Sequence, residues 1–187
     1  VERHYGPFDK IISIEMLEAV GHEHLPTFFG AVSRNLRPGG LAAIQVITLP
    51  DNRYEAYCRS HTDFIRKHIF PGGHLPCLGV MTQLSSHAGL EIHGAVDIGD
   101  DYALTLRIWR ERLLAAREEI LRLGYPECFI RQYEFYFAYC EAGFANQLIH
   151  DYQISFRKSI HASTSAAVGA AGGAAGQTDP LTIALLC

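Results

Sequence analysis

Two polar residues, Glu18 and Tyr102, lie at the ends of predicted secondary-structure elements, which are common positions for catalytic side chains. Glu18 follows the apolar run Phe8–Ile14, whose length and isoleucine content predict a buried strand. Tyr102 follows two aspartates at the predicted start of a long helix. A carboxylate at a strand end can do acid–base work or simply cap the next helix, and a tyrosine at a helix start can serve a site or only anchor the helix.

A metal site is not predicted from the histidines or cysteines. His22 and His24 are two residues apart, a spacing that points the imidazoles away from each other, whereas an HExxH pair shares one helical face. The cysteines form no CxxC pair and favour a reducing compartment. They are Cys58, Cys77, Cys128, Cys140 and Cys187.

Aromatic residues are concentrated in the last third of the globular sequence, with ten between Tyr125 and Phe156. Aromatic faces can hold a cation or line an apolar pocket, although packing in the core is their commoner use. Tyr133 and Tyr136 are the two that we expect near a pocket.

The elements that position these residues alternate between strands and helices. Phe8–Ile14 predicts a strand, 22–36 an amphipathic helix ended by Arg37-Pro38-Gly39-Gly40, and 41–48 a second strand. This order predicts a parallel pair joined by a crossover helix, and therefore an α/β fold. Further predicted helices cover 51–68, 81–88, 103–123 and 128–146, and further strands cover 91–96 and 151–157.

The chain divides into a folded part and a tail. The length and apolar content of residues 1–158 predict a single domain. Residues 159–187 are rich in alanine, glycine and serine and hold too few large apolar groups to offset the entropy of ordering, so they are predicted to be disordered.

Four stretches that occur in order are similar to those of a known family. They are FDKIISIEMLEAVGH from Phe8, NLRPGG from Asn35, IFPGG from Ile69, and Tyr102 with the helix that follows it. The chain resembles the cyclopropane-fatty-acyl-phospholipid synthases and mycolic acid cyclopropane synthases, which are S-adenosylmethionine-dependent methyltransferases. The sequence of these stretches is most similar to that of the family's plant and algal branch.

The resemblance implies a fold and a reaction. The fold is expected to be the C-terminal part of a Rossmann-like class I methyltransferase sheet with helical insertions around a lipid pocket. The implied reaction moves a methyl group from S-adenosylmethionine to the double bond of an unsaturated phospholipid acyl chain. The resulting carbocation then loses a proton to a bound bicarbonate ion, and a cyclopropane ring closes.

Site residues carry over one by one from the resemblance. Glu18 matches a carboxylate that holds bicarbonate, Ile47 a backbone contact and Tyr102 a hydroxyl, so Glu18 and Tyr102 are the expected catalytic residues. Gln45 stands where many bacterial relatives have histidine, and its amide can donate a hydrogen bond to the anion but cannot take a proton.

The expected substrate pocket combines a loop with two aromatic residues. Phe70, Gly72 and Gly73 belong to the IFPGG loop, which we expect to border the lipid entrance. Tyr133 and Tyr136 are expected to line the pocket behind it.

The strand at Phe8–Ile14 would be the fourth of the family's sheet. The glycine-rich turn and the acidic residue that hold the cofactor are therefore expected to be missing, and the isolated chain is expected to be weakly active or inactive. Its exposed sheet edge is expected to make it unstable or dependent on a partner.

Two other functions remain open. The coclaurine-type amine N-methyltransferases look similar over the same region and would need a compact aromatic cup instead of a long apolar tunnel. The chain could also be a non-catalytic fragment that binds lipid or a partner protein.

Composition limits the partners. A net charge of −4 and a pI near 6.2 give no basic field for nucleic acid. The sequence has no apolar run long enough to span a bilayer, so we expect a cytoplasmic protein. The lipid substrate that the resemblance implies would place this protein peripheral to a membrane. The oligomeric state stays open, with a homodimer as one option.

Overall fold

The computed structural model describes residues 7–160 and 183–186. Its strands are Phe8–Ile14 (β1), Leu36–Thr48 (β2), Leu90–Asp97 (β3), His150–Lys158 (β4) and Ile183–Leu186 (β5). Its α-helices are Leu25–Asn35 (α1), Asp51–Arg59 (α2), Phe64–His68 (α3), Leu78–His87 (α4), Gly99–Ala115 (α5), Arg117–Arg122 (α6) and Glu127–Ala145 (α7). Short 3-10 turns lie at Leu17–Ala19 and His22–His24.

The strands form one mixed sheet in the order β3-β4-β2-β1-β5. β1 and β2 are parallel and are joined by α1, as the sequence predicted. β4 runs antiparallel to both β2 and β3. This arrangement places the ends of β1 and β2 at the same edge of the sheet, next to the start of β4.

Apolar residues cover both faces of the sheet, as the parallel pair requires. On one face, α1 and α4 contribute Phe29, Val32 and Met81 to the main core, and the ring of Phe29 packs against that of Phe156 with centroids 5.7 Å apart. On the other face, a smaller cluster joins Leu106 of α5 to Phe144 of α7.

The connection from α1 to β2 is held by a lysine and a glycine. Nζ of Lys158 donates to the carbonyl oxygens of Ser33 and Leu36 at 2.6 and 2.7 Å, so a positive charge satisfies acceptors at the end of α1. A Cβ atom at Gly40 would lie 2.9 Å from the Arg37 carbonyl oxygen, so the close approach of the chain requires glycine.

Three predicted elements are divided or extended in the structure. The helix predicted for 51–68 is two helices, because Asp63 accepts a hydrogen bond from the N–H of Arg66 and starts α3. The helix predicted for 103–123 is interrupted at Ala116. β2 begins at Leu36, five residues before the predicted start of the strand. It therefore includes Arg37–Gly40, which were predicted to end the first helix, and the pairing with β1 shifts register between Phe8 and Lys10.

Most of the tail predicted to be disordered lies outside the described residues. The disordered tail stays a prediction, and within it the backbone of Ile183–Leu186 pairs in parallel with Lys10–Ser13 of β1. This pairing covers β1 at the edge that the sequence predicted to be exposed. Unpaired N–H and C=O groups at a strand edge favour pairing with any extended segment that reaches them, and β5 meets this need.

Candidate active site

Polar residues meet at the carboxyl ends of β1 and β2. Glu15 follows β1 with a φ of 51°, and its N–H donates to the carbonyl oxygen of Gln45 at 3.0 Å. A non-glycine residue in this region costs on the order of 1 kcal/mol, and such strain is concentrated at functional sites. The turn at Glu15 brings Glu18, in the next 3-10 turn, beside β2.

The carboxylate of Glu18 contacts the backbone of Ile47, so two predicted site residues lie together. Its Oε1 atom accepts the N–H of Ile47 at 2.7 Å. The buried Oε2 atom has no nitrogen or hydroxyl donor in the described part of the chain, but the carboxyl of Glu15 is within hydrogen-bonding reach. Burial, with the charge of Glu15 adding to it, raises the pKa of Glu18 from 4.5 to about 7. Glu18 is therefore poised to exchange protons near neutral pH.

Gln45 links two further carboxyl groups. Its Nε2 donates to Glu15 Oε1 at 3.0 Å and to Asp151 Oδ2 at 3.2 Å, and its Oε1 accepts from Gln153 at 3.0 Å. Both amide hydrogens are thus engaged. In this arrangement Gln45 holds the two carboxyl groups in place, and direct donation from Gln45 to a bound anion, which would require one of these hydrogen bonds to open, stays a prediction.

Asp151 completes what we call the carboxyl cluster, which consists of Glu15, Glu18 and Asp151. Asp151 lies on β4 opposite Ile47 and is fully buried. Burial, followed by the charge of Glu15, raises the pKa of Asp151 from 3.8 to about 7. Burial also raises the pKa of Glu15, although hydrogen bonds from Gln45 and the other two carboxyls favour its ionised form. The three groups therefore share protons and titrate as a unit.

Tyr102 and Tyr136 approach the carboxyl cluster from the helices. Burial raises the pKa of Tyr102 above its ordinary value, and the charge of Glu15 raises it further. Burial likewise raises the pKa of Tyr136. Both hydroxyl groups stay protonated at neutral pH and remain hydrogen-bond donors. The Ile98 N–H donates to the Asp151 carbonyl oxygen at 2.8 Å, which fixes the start of α5 and so positions Tyr102.

The predicted substrate-pocket residues fall into two groups. Tyr136 contacts Phe70 and Tyr133, with ring centroids 5.9 and 6.1 Å apart, so these three form an aromatic wall. Phe70 is 56% exposed, in keeping with a position at an entrance. Gly72 and Gly73 line a separate cavity of about 420 Å³.

Sequence reasoning missed Glu15 and Asp151. Glu15 precedes Glu18 by three residues, and this spacing was the available signal. The sequence carries no signal for Asp151, because the position of Asp151 beside Gln45 and Ile47 depends on the antiparallel register of β2 and β4.

Comparison with known proteins identifies the family. Residues 2–154 match the family described as mycolic acid cyclopropane synthetase. The chain belongs to this family. The family assignment made from the four sequence stretches is therefore confirmed.

Curated members of the cyclopropane synthetase family and related methyltransferases match most of this chain. It is 43% identical over 149 residues to the tuberculostearic acid methyltransferase UfaA1 of Mycobacterium tuberculosis, covering 79% of this chain and 35% of that protein. It is 33% identical over 153 residues to the cyclopropane-fatty-acyl-phospholipid synthase of Escherichia coli, covering 82% and 38%. The chain thus spans less than two fifths of the length of these relatives.

Solved structures of the family share the fold. The mycolic acid cyclopropane synthase CmaA1, in complex with SAH and CTAB, is similar with a TM-score of 0.75 and 28% identity, covering 84% of this chain and 57% of that one. The cyclopropane synthase MmaA2 of Mycobacterium tuberculosis has a TM-score of 0.73 and 27% identity, covering 82% and 56%. The predicted fold class, part of a Rossmann-like class I methyltransferase, is confirmed.

Proposed function

We propose that the protein containing this chain transfers a methyl group from S-adenosylmethionine to the double bond of an unsaturated phospholipid acyl chain and closes a cyclopropane ring. The observation that supports this most strongly is the carboxyl cluster beside two protonated tyrosines and an aromatic wall. A carbocation needs a nearby proton acceptor and aromatic faces, and this site offers both. Membership of a family of methyltransferases and cyclopropane synthases adds to the support.

Bicarbonate is the base that we propose. When bound, it supplies the acceptor for the proton released on ring closure. Glu18 in its protonated form can donate from the buried Oε2 atom, and Tyr102 can donate from its hydroxyl, so the donor set fits an anion. The N–H of Ile47 now donates to Glu18, and it becomes available to the anion if that carboxyl turns away.

S-adenosylmethionine supplies the methyl group as a cation equivalent. Among the described residues, no strand is followed by a glycine-rich turn and a helix. Its methionine and ribose groups therefore need residues other than these, and the described residues contribute the chemistry at the methyl acceptor.

The aromatic wall of Phe70, Tyr133 and Tyr136 is the proposed path for the acyl chain. No helix in the described ranges is long and apolar enough to cross a membrane. Because the proposed substrate lies in a bilayer, we propose that the protein works at a membrane surface and draws the acyl chain past Phe70.

A second candidate is methylation of a small amine. The carboxyl cluster lies beside Tyr102 and Tyr136, and acidic groups with aromatic faces are suited to an ammonium ion. A compact amine would use the cluster to accept its proton and would not require the aromatic wall.

Assay of a polypeptide extended upstream of Val1 separates these functions. It is incubated with labelled S-adenosylmethionine and either vesicles of unsaturated phospholipid or a set of benzylic amines. Label in the acyl chains, lost in Glu18→Gln and kept in the exposed-site control Glu91→Gln, is the expected result. Label only in the amines would establish the second candidate, and label in neither would contradict both.

A further inference from the structure

Three side chains of metal-ligand type, from separate segments, meet near the turn that carries Glu18. They are His22, Cys58 and His74, which we call the His-Cys cluster. One ligand atom from each residue lies within 4.8 Å of the others. The sequence argued against a metal site made by His22 and His24. The His-Cys cluster does not use that pair, because His22 meets His74 from a distant loop.

We propose that the His-Cys cluster binds a zinc-type transition metal ion through two imidazole nitrogens and one thiolate. This donor set is of the borderline softness that zinc prefers. Tetrahedral bonds of about 2.0 Å to nitrogen and 2.3 Å to sulfur require ligand atoms about 3.3 to 3.5 Å apart. The observed maximum of 4.8 Å needs a contraction, which the exposed side chains of His22 and Cys58 can make by rotation toward the half-buried His74.

The backbone around the His-Cys cluster is already ordered. The N–H of His74 donates to the Glu18 carbonyl oxygen at 2.8 Å, which fixes the loop against the turn that carries His22. Cys58 is on α2, one helical turn after Tyr54. The Tyr54 hydroxyl is 2.7 Å from Nδ1 of His22 and 2.9 Å from Nε2 of His74, and it interacts with the Cys58 thiol.

Tyr54 therefore lies at the centre of the three candidate ligands. Its hydroxyl can serve as the fourth, oxygen ligand, which gives the four-coordinate geometry of zinc. Burial of the Tyr54 side chain, which is 7% exposed, restricts its movement and keeps it against both rings. The ion would thereby join three segments through one centre.

Access and charge also suit a cation. The cavity of about 420 Å³ opens beside His22 and His74 and is lined by polar residues, including Glu23. Arg66 lines the same cavity, and its charge opposes a cation. Its partner Asp63, 3.7 Å away, and the thiolate formed by Cys58 on binding offset that charge.

Cobalt(II) is the probe that reports thiolate coordination directly. The full chain, reduced and freed of metal, is titrated with cobalt(II) and then with zinc. Saturation at one equivalent, a near-ultraviolet band from thiolate to cobalt, and loss of the band when zinc is added are the expected results. Cys58→Ser should abolish the band, and His74→Ala should weaken binding at least tenfold.

Matched variants and a folding check make the outcome decisive. Cys128→Ser, at another exposed cysteine, and His24→Ala, in the same cavity but outside the cluster, should leave binding unchanged. Because Cys58 is exposed, its replacement by serine should preserve the circular dichroism spectrum. A chain that takes up no cobalt at one equivalent, or a band that survives Cys58→Ser, would overturn the proposal.

Discussion

Replacing Asp151 by asparagine should stabilise the fold at pH 8 and change its stability little at pH 4. Asp151 is fully buried, and its pKa is raised from 3.8 to about 7. A carboxyl group with a raised folded-state pKa contributes stability at low pH and loses it as the pH rises toward that pKa. Asparagine keeps an oxygen acceptor for Gln45 and carries no charge at any of these pH values.

The size of the effect follows from the pKa and the coupling. A rise from 3.8 to about 7 corresponds to a ceiling of roughly 4 kcal/mol, because one pKa unit equals about 1.36 kcal/mol. Burial of Asp151 is the main cause of this cost, and the repulsion that the charge of Glu15 adds is shared within the carboxyl cluster, so one replacement recovers only part of the total. We expect the free energy of unfolding to rise by on the order of 2 kcal/mol at pH 8.

Urea unfolding followed by the fluorescence of Trp109 measures this change, because that ring packs against Tyr102 near the site. The two pH values are compared for the wild type, Asp151→Asn and the exposed-site control Asp101→Asn. An equal effect of Asp151→Asn at both pH values, or a loss of stability at pH 8, would refute the reasoning about buried charge.

Three further changes test the fold and the site. Lys158→Met should lower the free energy of unfolding by about 2 kcal/mol in urea, since it removes two charged hydrogen bonds to the end of α1, and an unchanged value would contradict that role. Gly40→Ala should cost about 1 to 3 kcal/mol in the same assay, because its Cβ would clash with Arg37, whereas Gly89→Ala would pay only for backbone strain. Tyr102→Phe in an upstream-extended protein should reduce turnover about 10²-fold without weakening binding of S-adenosylhomocysteine, and loss of that binding would instead indicate a structural role.

The sequence predicted the alternating core of the fold because its signals are local. The apolar run Phe8–Ile14 and the periodic spacing in α1 are visible without any neighbour, and the parallel pair follows from their order. The breaks at Asp63 and Ala116 were missed because apolar spacing continues across them while capping and backbone dihedrals interrupt the helix.

The candidate site was only partly accessible to sequence reasoning. Glu18 and Tyr102 were found through family resemblance, and the structure brings both to the carboxyl cluster. Asp151 and the engagement of Gln45 depend on the pairing of strands more than a hundred residues apart in the chain, with Gln45 opposite Gln153. The His-Cys cluster has the same origin, since tertiary contacts alone bring Cys58 to His22 and His74.

The most direct test of cyclopropane formation follows the transferred methyl group. The upstream-extended protein is given unsaturated phospholipid vesicles and S-adenosylmethionine with a fully deuterated methyl group, and the acyl chains are analysed by mass spectrometry. Loss of one deuterium and retention of two, in a product without a double bond, is the predicted result, because ring closure removes one proton from the transferred methyl. Retention of all three deuteriums, or no labelled acyl chain, would contradict the proposed reaction.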